Sequence, residues 1–592
     1  MQMSGKRVYL ETLGCQMNVL DSELVLGQLR ALGYEPTEKM SAADVVLINT
    51  CSVRQHAEDK ALSRLGQLKK TKRERPDLVV GVIGCMAERD AEGIFEKAPH
   101  VDLLCGPGEL NKVPALIEEV QRRRVQGSAT RGQGSAPRVA DPAVGAVSDG
   151  DARTVGSVSD RDQLPPTQYS VLSTQHSVLG TQDSGLRTQH STRRSRSETA
   201  PTQDSGLRTQ DSTLRTQDSP LRVVALAESL SRRSSVLERA LEFDSMEALD
   251  LSRSPGPDAN TLQAYIRVQR GCDKFCTFCV VPFTRGPERS RPAGNIVHEA
   301  RMLVDHGARE ITLLGQTVNS YTSQEDGRPV RFADLLEQLN DVDGLDRIRF
   351  VTSYPGDFTD DILDAMRELP KVCEYLHIPA QSGSDAVLKR MRRQYSSSQY
   401  FELIDRAKEK VPGLTLASDF IVGFCGETDD DFARTVAMVE RCRFKNIFVF
   451  KYSPRPGTVA DKRDDDDVPE SVKRTRNVEL LKVQERISQA ANREMVGRTF
   501  EVLVEGYSKA AIKAQEAEQS RGAEVSHRFS QQLVGRTRGD QIVVFDGRPQ
   551  LIGALVYVNI VGATPLTLLG EVSGLVSAAR ARSSLPLAVV AG

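Results

Sequence analysis

Short apolar runs alternate with longer amphipathic stretches through residues 6–123: KRVYLETLG, SELVLGQLRALG, ADVVLINT, a charged helical stretch, DLVVGVIG, another helix, VDLLC and NKVPALIEEVQRR. This alternation predicts an open parallel sheet with helices on both faces. Residues 260–492 repeat strand then helix about six times, with strands at AYIRVQR, ITLLGQTVN, IRFVTSYP, YLHIPAQ, LTLASDFIVGF and NIFVFKYS. Six such units suit a partial (βα)6 barrel, whose site lies at the carboxyl ends of the strands. Beyond residue 494 the period shortens to two, with glycine turns in TFEVLVEG, QLVGRTRGDQIVVFDG, LIGALVYVNIVGAT and TLLGEV, which predicts a small antiparallel β-barrel.

Between the first two blocks the pattern fails. From about 126 to 257 the chain turns to Ser, Thr, Gln, Arg and Asp, and TQ recurs at heptad spacing from Thr167, Thr174, Thr181 and Thr188, then from Thr202, Thr209 and Thr216. One apolar residue per repeat cannot bury a coiled-coil seam, which needs two, so disorder is expected, with a short amphipathic helix around VVALAESLSRRSSVLERALEF. The expected α/β multidomain organisation is an α/β domain at 1–125, a low-complexity insertion at 126–257, the partial barrel at 258–492, the small β-barrel at 494–575 and a tail at 576–592.

A formal charge of -2 on 592 residues neither demands nor excludes a nucleic acid, so any RNA footprint must be local. Ten cysteines are too few and too irregular for a secreted disulfide framework, and MQMSGKRVYLETLG has no apolar signal segment. With no apolar run of about 18 residues to span a bilayer, a reduced cytoplasmic protein without a membrane partner is expected.

The chemistry is carried by cysteines. Cys272, Cys276 and Cys279 stand in GCDKFCTFC after an extended run, so three thiolates share one strand-end loop. Structural zinc is closed by four ligands, whereas a cubane iron–sulfur cluster on three cysteines keeps one iron open, and no CxxC or HxxxH partner lies near to supply a fourth ligand. Phe278, between the second and third thiolates, is placed to face a flat ring such as adenine. Cys15, Cys51 and Cys85 each end a strand, at intervals of 36 and 34 residues. Carboxyl ends of neighbouring parallel strands share one edge, so these three converge on one crevice as a second three-cysteine site. Isolated core thiols are the competing reading. Cys105 also ends a strand, and its role stays open.

The spacing CxxxCxxC with an aromatic residue before the third cysteine resembles the signature of radical S-adenosylmethionine enzymes. TLGCQMNVLDSE, NTCSVRQHAEDK, GCMAE, GCDKFCTFCVVPFTRG, LLGQTVNSY, PAQSGS and RPGT together resemble the methylthiotransferase family, nearest to its branch acting on isopentenylated adenosine in tRNA, and the last block resembles a TRAM domain. The resemblance implies two 4Fe-4S clusters: a radical-generating one on Cys272, Cys276 and Cys279, and an auxiliary, sulfur-donating one on Cys15, Cys51 and Cys85. It implies S-adenosyl-L-methionine, one molecule methylating a cluster sulfur and a second giving the radical that takes the hydrogen from C2 of N6-isopentenyladenosine beside the anticodon. Gln316 sits where the superfamily places a polar contact to the methionine amino group. Partners implied are the tRNA substrate, an electron donor protein and a sulfur or iron–sulfur supply system. Arg285, Arg289 and Arg291 are candidates for RNA phosphate or the cosubstrate carboxylate, and Lys509, Arg521, Arg528, Arg536 and Arg538 for phosphate. Sister enzymes acting on a ribosomal-protein aspartate or on threonylcarbamoyladenosine share the motifs, and a non-catalytic iron–sulfur RNA sensor would share the cysteines.

Overall fold

The computed structural model describes residues 5–52, 55–131, 222–226, 246–253, 262–521 and 531–579. In the first block β1 (Arg7–Leu13), β2 (Glu35–Pro36), β3 (Val45–Thr50), β4 (Val79–Ile83), β5 (Leu103–Cys105) and β6 (Val223–Ala225) form one sheet in the order β2-β1-β3-β4-β5-β6. Every neighbouring pair is parallel. Strand residues alternate between two cores: Val45 and Leu47 meet α1 (Gln16–Ala31) and α4 (Val113–Arg131). Val46 and Ile48 meet α2 (Gln55–Glu74) and α3 (Cys85–Lys97) on the other face. With both faces covered, β3 and β4 are buried along their whole length, as a parallel sheet requires.

The 126–257 boundary needs correcting at both ends. α4 continues to Arg131, and Val223–Ala225, expected to begin an amphipathic helix, is instead the sixth strand, bonded from Val223 N to Asp102 O at 2.9 Å. Two β-branched residues suit the open edge of β5, and the sheet gives them apolar cover that an isolated helix would lack. A helical stretch over 246–251 places Met246 and Leu249 in the α1 core. The rest of the disorder expectation lies outside the described residues.

The middle block builds β7 (Gln263–Arg267), β8 (Glu310–Leu314), β9 (Arg347–Phe350), β10 (Tyr375–His377), β11 (Thr415–Val422) and β12 (Asn446–Lys451), the six strands expected. They form two parallel three-stranded arcs. Ser353 N bonds to His377 O at 3.1 Å across the seam between β9 and β10. The result is an open (βα)6 arc with its apolar core between strands and outer helices.

The last block closes β13 (Thr499–Tyr507), β14 (Gln532–Thr537), β15 (Ile542–Asp546), β16 (Leu555–Ala563) and β17 (Thr567–Ser577) into a barrel in the order β13-β14-β15-β17-β16. The expected antiparallel barrel has one exception: β15 and β17 run parallel. Five strands cannot alternate direction all the way round a ring, so one parallel pair is obligatory. The barrel docks beneath the amino ends of the middle strands, where Arg347 donates to Arg536 O at 2.8 Å, Arg349 to Thr537 O at 2.7 Å and Arg309 to Gly553 O at 2.6 Å. This corrects two of the phosphate candidates. Arg536 is paired with Asp540 and Glu505, and Arg538 with Glu374, inside that junction. Lys509 is exposed; the side chain of Arg521 and all of Arg528 lie outside the described residues. Among the described residues no helix is long and apolar enough to cross a membrane.

Candidate functional site

A cavity of about 440 Å³ opens where the carboxyl edge of the first sheet meets the carboxyl rim of the partial barrel, and Cys15, Cys51, Cys85, Cys272, Cys276 and Cys279 all line it. Its depth runs through the arc to the small barrel, where Gln541 and Leu568 line it.

The first three cysteines meet because β1, β3 and β4 are adjacent in the sheet. Cys15 caps α1, and its sulfur lies 3.3 Å from Asn18 Oδ1. A buried clasp fixes that turn against β3: Asn18 Nδ2 donates to Asn49 Oδ1 at 3.0 Å, and Asn49 Nδ2 donates to Asn18 O and Ser22 Oγ, both at 2.9 Å. Gly84, at φ 92°, turns the chain from β4 into α3 so that Cys85 opens the helix. A Cβ there would sit 2.4 Å from Asn49 Oδ1 and 2.9 Å from Thr50 O. Cys105 is not on the cavity wall: its buried sulfur donates to Glu109 O at 3.1 Å, and burial holds its thiol well above the ordinary value.

The other three sit on one loop after β7. Gly271 begins it at φ 69°, where a Cβ would lie 2.0 Å from Pro287 O, and Phe275 takes φ 47° between the first two sulfurs. Thr277 N bonds to Met391 O at 3.1 Å, pinning the loop to the barrel rim. Arg393 Nη1 lies 3.4 Å from Cys276 Sγ, with its guanidinium stacked 4.7 Å over the Tyr354 ring. Phe278 lines the cavity and meets Phe424 edge-on, ring centres 6.5 Å apart. Cys373, Cys425 and Cys442 are buried away from it.

Burial opposes ionisation at three of the six thiols. Burial pushes the Cys272 thiol up to about 12 and Cys279 higher still. Burial also raises Cys85, against the opposing pull of Arg285. Thiols so placed become thiolates when a cation joins them. Among the described residues no three His, Cys, Asp or Glu groups converge tightly enough to chelate one ion. A cubane asks for something else, one sulfur on each of three irons, and leaves the fourth iron open.

The cavity wall also holds polar atoms that the protein itself leaves unused. Gln316 Oε1, Ser353 Oγ and Gln381 Oε1 are buried there without a hydrogen-bond partner. Such atoms in a native fold ask for a ligand or water. Thr352 and Gln381 both hold φ 70°, a strain found at ligand-holding positions. Gln316 was expected from the sequence; Ser353 and Gln381 were not, although both stand at the carboxyl ends of expected strands, IRFVTSYP and YLHIPAQ. His377, on the same wall, has its tautomer set: Nδ1 accepts from Thr352 N and Nε2 faces Asp419 Oδ1, both at 3.3 Å.

The expectation that Arg291 meets RNA or the cosubstrate carboxylate is overturned, whereas Arg285 stays on the cavity wall. Arg291 is fully buried between Glu247 (2.8 Å) and Glu299 (2.7 Å). Arg285 donates to Asp21 Oδ2 at 2.8 Å. Arg289 lies half-buried in a short strand pairing beside them.

Residues 7–106 match the family described as "Uncharacterized protein family UPF0004", and residues 266–439 match the radical SAM superfamily. A protein of Rhodopirellula baltica named tRNA-2-methylthio-N(6)-dimethylallyladenosine synthase is 42% identical over 567 residues, 96% of this chain and 95% of that one. Proteins of the same name from Moorella thermoacetica (35% identical, 96% and 99% of the two chains) and Syntrophotalea carbinolica (33%, 96% and 99%) are similar over the same span.

Proposed function

This chain belongs to the family of tRNA-2-methylthio-N(6)-dimethylallyladenosine synthases, and from that premise we propose that it transfers a methylthio group to C2 of N6-isopentenyladenosine beside the anticodon of tRNA. The superfamily match brings S-adenosylmethionine and a 4Fe-4S cluster with it. The finer assignment is ours: Cys272, Cys276 and Cys279 hold the radical-generating cluster, and Cys15, Cys51 and Cys85 hold a second one that gives up sulfur. The observation that carries this reading is that all six cysteines line one cavity. The same-named relatives, matched along nearly the whole chain, favour it over the sister enzymes and over a redox sensor.

The adenine C2–H is neither acidic nor electrophilic enough for acid–base or polar methyl transfer. When bound, the clusters and S-adenosylmethionine supply a carbon radical and a methylated sulfur in its place. What the chain does is hold, orient and seal. Gln316, Ser353 and Gln381 offer unused polar atoms to the cosubstrate or the base, and Phe278 offers an apolar face beside the first triplet. The first sheet covers the barrel mouth and excludes water, which fixes reactants within reach and protects a radical. An electron donor and a sulfur or iron–sulfur supply system complete the cycle.

The test is anaerobic reconstitution followed by reaction with S-adenosylmethionine, a reductant and isopentenylated tRNA, with nucleosides read by mass spectrometry. About eight irons per chain and a 2-methylthio product are expected. Four irons would remove the second cluster, and 5′-deoxyadenosine without any methylthio nucleoside would remove the activity.

A further inference from the structure

Arg285 belongs by sequence to the first triplet, six residues beyond Cys279, yet its side chain serves the other wall. The helix Val281–Thr284 before it packs on α3, the helix opened by Cys85, and Arg285 shares the cavity with Cys15, Cys51 and Cys85. The guanidinium is held from behind. Nη2 donates to Asp21 Oδ2 at 2.8 Å, and Asp21, wholly buried, gives Oδ1 to Arg267 at 2.7 Å. Arg267 and Arg270 converge on Asp250. Arg253 and Arg291 share Glu299, and Arg291 also takes Glu247. Five guanidinia face five carboxylates, four of them buried (Asp21, Glu247, Asp250 and Glu299) and the fifth, Glu23, half-exposed beside Arg253. Arg285 is the member of this network that stands on the cavity wall.

Three thiolates on a cubane in its resting oxidation state carry a net charge of -1, opposite in sign to the Arg285 guanidinium. Cys85 lines the same cavity, Arg285 opposes the burial that raises its thiol, and the five N–H groups of the guanidinium are not exhausted by Asp21. From this juxtaposition we infer that Arg285 is a positioning residue for the second cluster, a charged donor at the Cys85 side that raises the reduction potential of that centre alone. The inference rests on the proposal that Cys15, Cys51 and Cys85 hold a cluster. Net charge and hydrogen bonds to sulfur set such potentials, and a nearby cation favours the reduced, more negative form.

The experiment is an EPR-monitored redox titration of anaerobically reconstituted protein, wild type against Arg285→Gln, with iron content measured on the same samples. The signal that is lost in Cys276→Ala belongs to the first centre and the one lost in Cys51→Ala to the second, which assigns the two. In Arg285→Gln the midpoint of the second centre is expected to move to more negative potential, with the first unmoved and iron still near eight. Unmoved midpoints at full iron content, or equal shifts in both centres, would overturn the inference. Should the glutamine variant not fold, Arg285→Lys keeps the charge and loses the fork; the second midpoint then moves the same way by less, and an unmoved one overturns the inference. Four irons in the wild type would instead overturn the second-cluster proposal, and this inference with it.

Discussion

The two cysteine triplets are built in opposite ways. Cys272, Cys276 and Cys279 fall within eight consecutive residues, and left-handed turns at Gly271 and Phe275 set their loop. Cys15, Cys51 and Cys85 span 71 residues and meet only because β1, β3 and β4 are neighbours. The first triplet is held by local backbone geometry, the second by sheet register, an asparagine clasp and the arginine network around Asp21. A local site tolerates strain elsewhere in the fold, whereas a dispersed one inherits every defect of its sheet.

The sharpest way to break this contrast is to remove one sulfur from each. Cys276→Ala should bring both 5′-deoxyadenosine formation and methylthiolation to background and lower iron from about eight to about four per chain. Cys51→Ala should lower iron equally and abolish methylthiolation, while 5′-deoxyadenosine is still formed from S-adenosylmethionine. Liquid chromatography of both products from the same reaction decides. Equal loss of cleavage in the two variants would mean the triplets do not act as separate centres.

The same contrast decides what the sequence could reveal. The loop triplet reads as a string, because its spacing is its geometry. The dispersed triplet reads only through topology, as three cysteines at equivalent strand ends. The arginine network is invisible in either way: Asp21 and Arg267, 246 positions apart, look like ordinary solvated charges until the fold buries both. Val223–Ala225 was equally hidden, since a three-residue strand has no period to detect and its pairing partner lies on the far side of a stretch with no core-forming apolar pattern. Ser353 and Gln381 stand in loops of the right kind, but their orphaned atoms are products of packing. The parallel pair in the last barrel, by contrast, follows from counting five strands.

Acid and base should sharpen the comparison next, because the two sides of the cavity have opposite slopes. Burial raises the Glu427 carboxyl to about 7, against the Gly423 amide and Arg476 that hold it. Its loop carries Phe424, which packs on Phe278 beside the first triplet. A carboxyl raised in the folded state gives stability that is whole below its unfolded value near 4.5 and is lost as pH climbs through about 7. Relative to Glu427→Gln, wild type should lose about 3 kcal/mol across that window, read by urea unfolding at stepped pH. Asp21, beside the second triplet, behaves the other way: burial pushes its carboxyl up, but Arg285 and Arg267 together bring it below its ordinary value. Its contribution is present above about 4 and lost as pH falls below that. A flat difference between wild type and Glu427→Gln from pH 4.5 to 7 would sink the assignment.

The smallest effect tests whether the dispersed site inherits defects of its sheet. Gly84→Ala adds one methyl at φ 92°, and the nearest atoms are Asn49 Oδ1 at 2.4 Å and the Thr50 carbonyl oxygen at 2.9 Å. The asparagine can swing only by opening its bonds to Asn18 and Ser22, and the carbonyl belongs to the strand that delivers Cys51. Backbone strain of this kind costs about 1–3 kcal/mol, little enough for the fold to survive. Relief must come from the turns that carry Cys51 and Cys85, so the variant should load the first cluster normally and the second incompletely. Iron content and the two EPR signals measure this directly. A uniform fall in both signals would show that the sheet and the loop fail together, and the contrast between a local and a dispersed site would not hold.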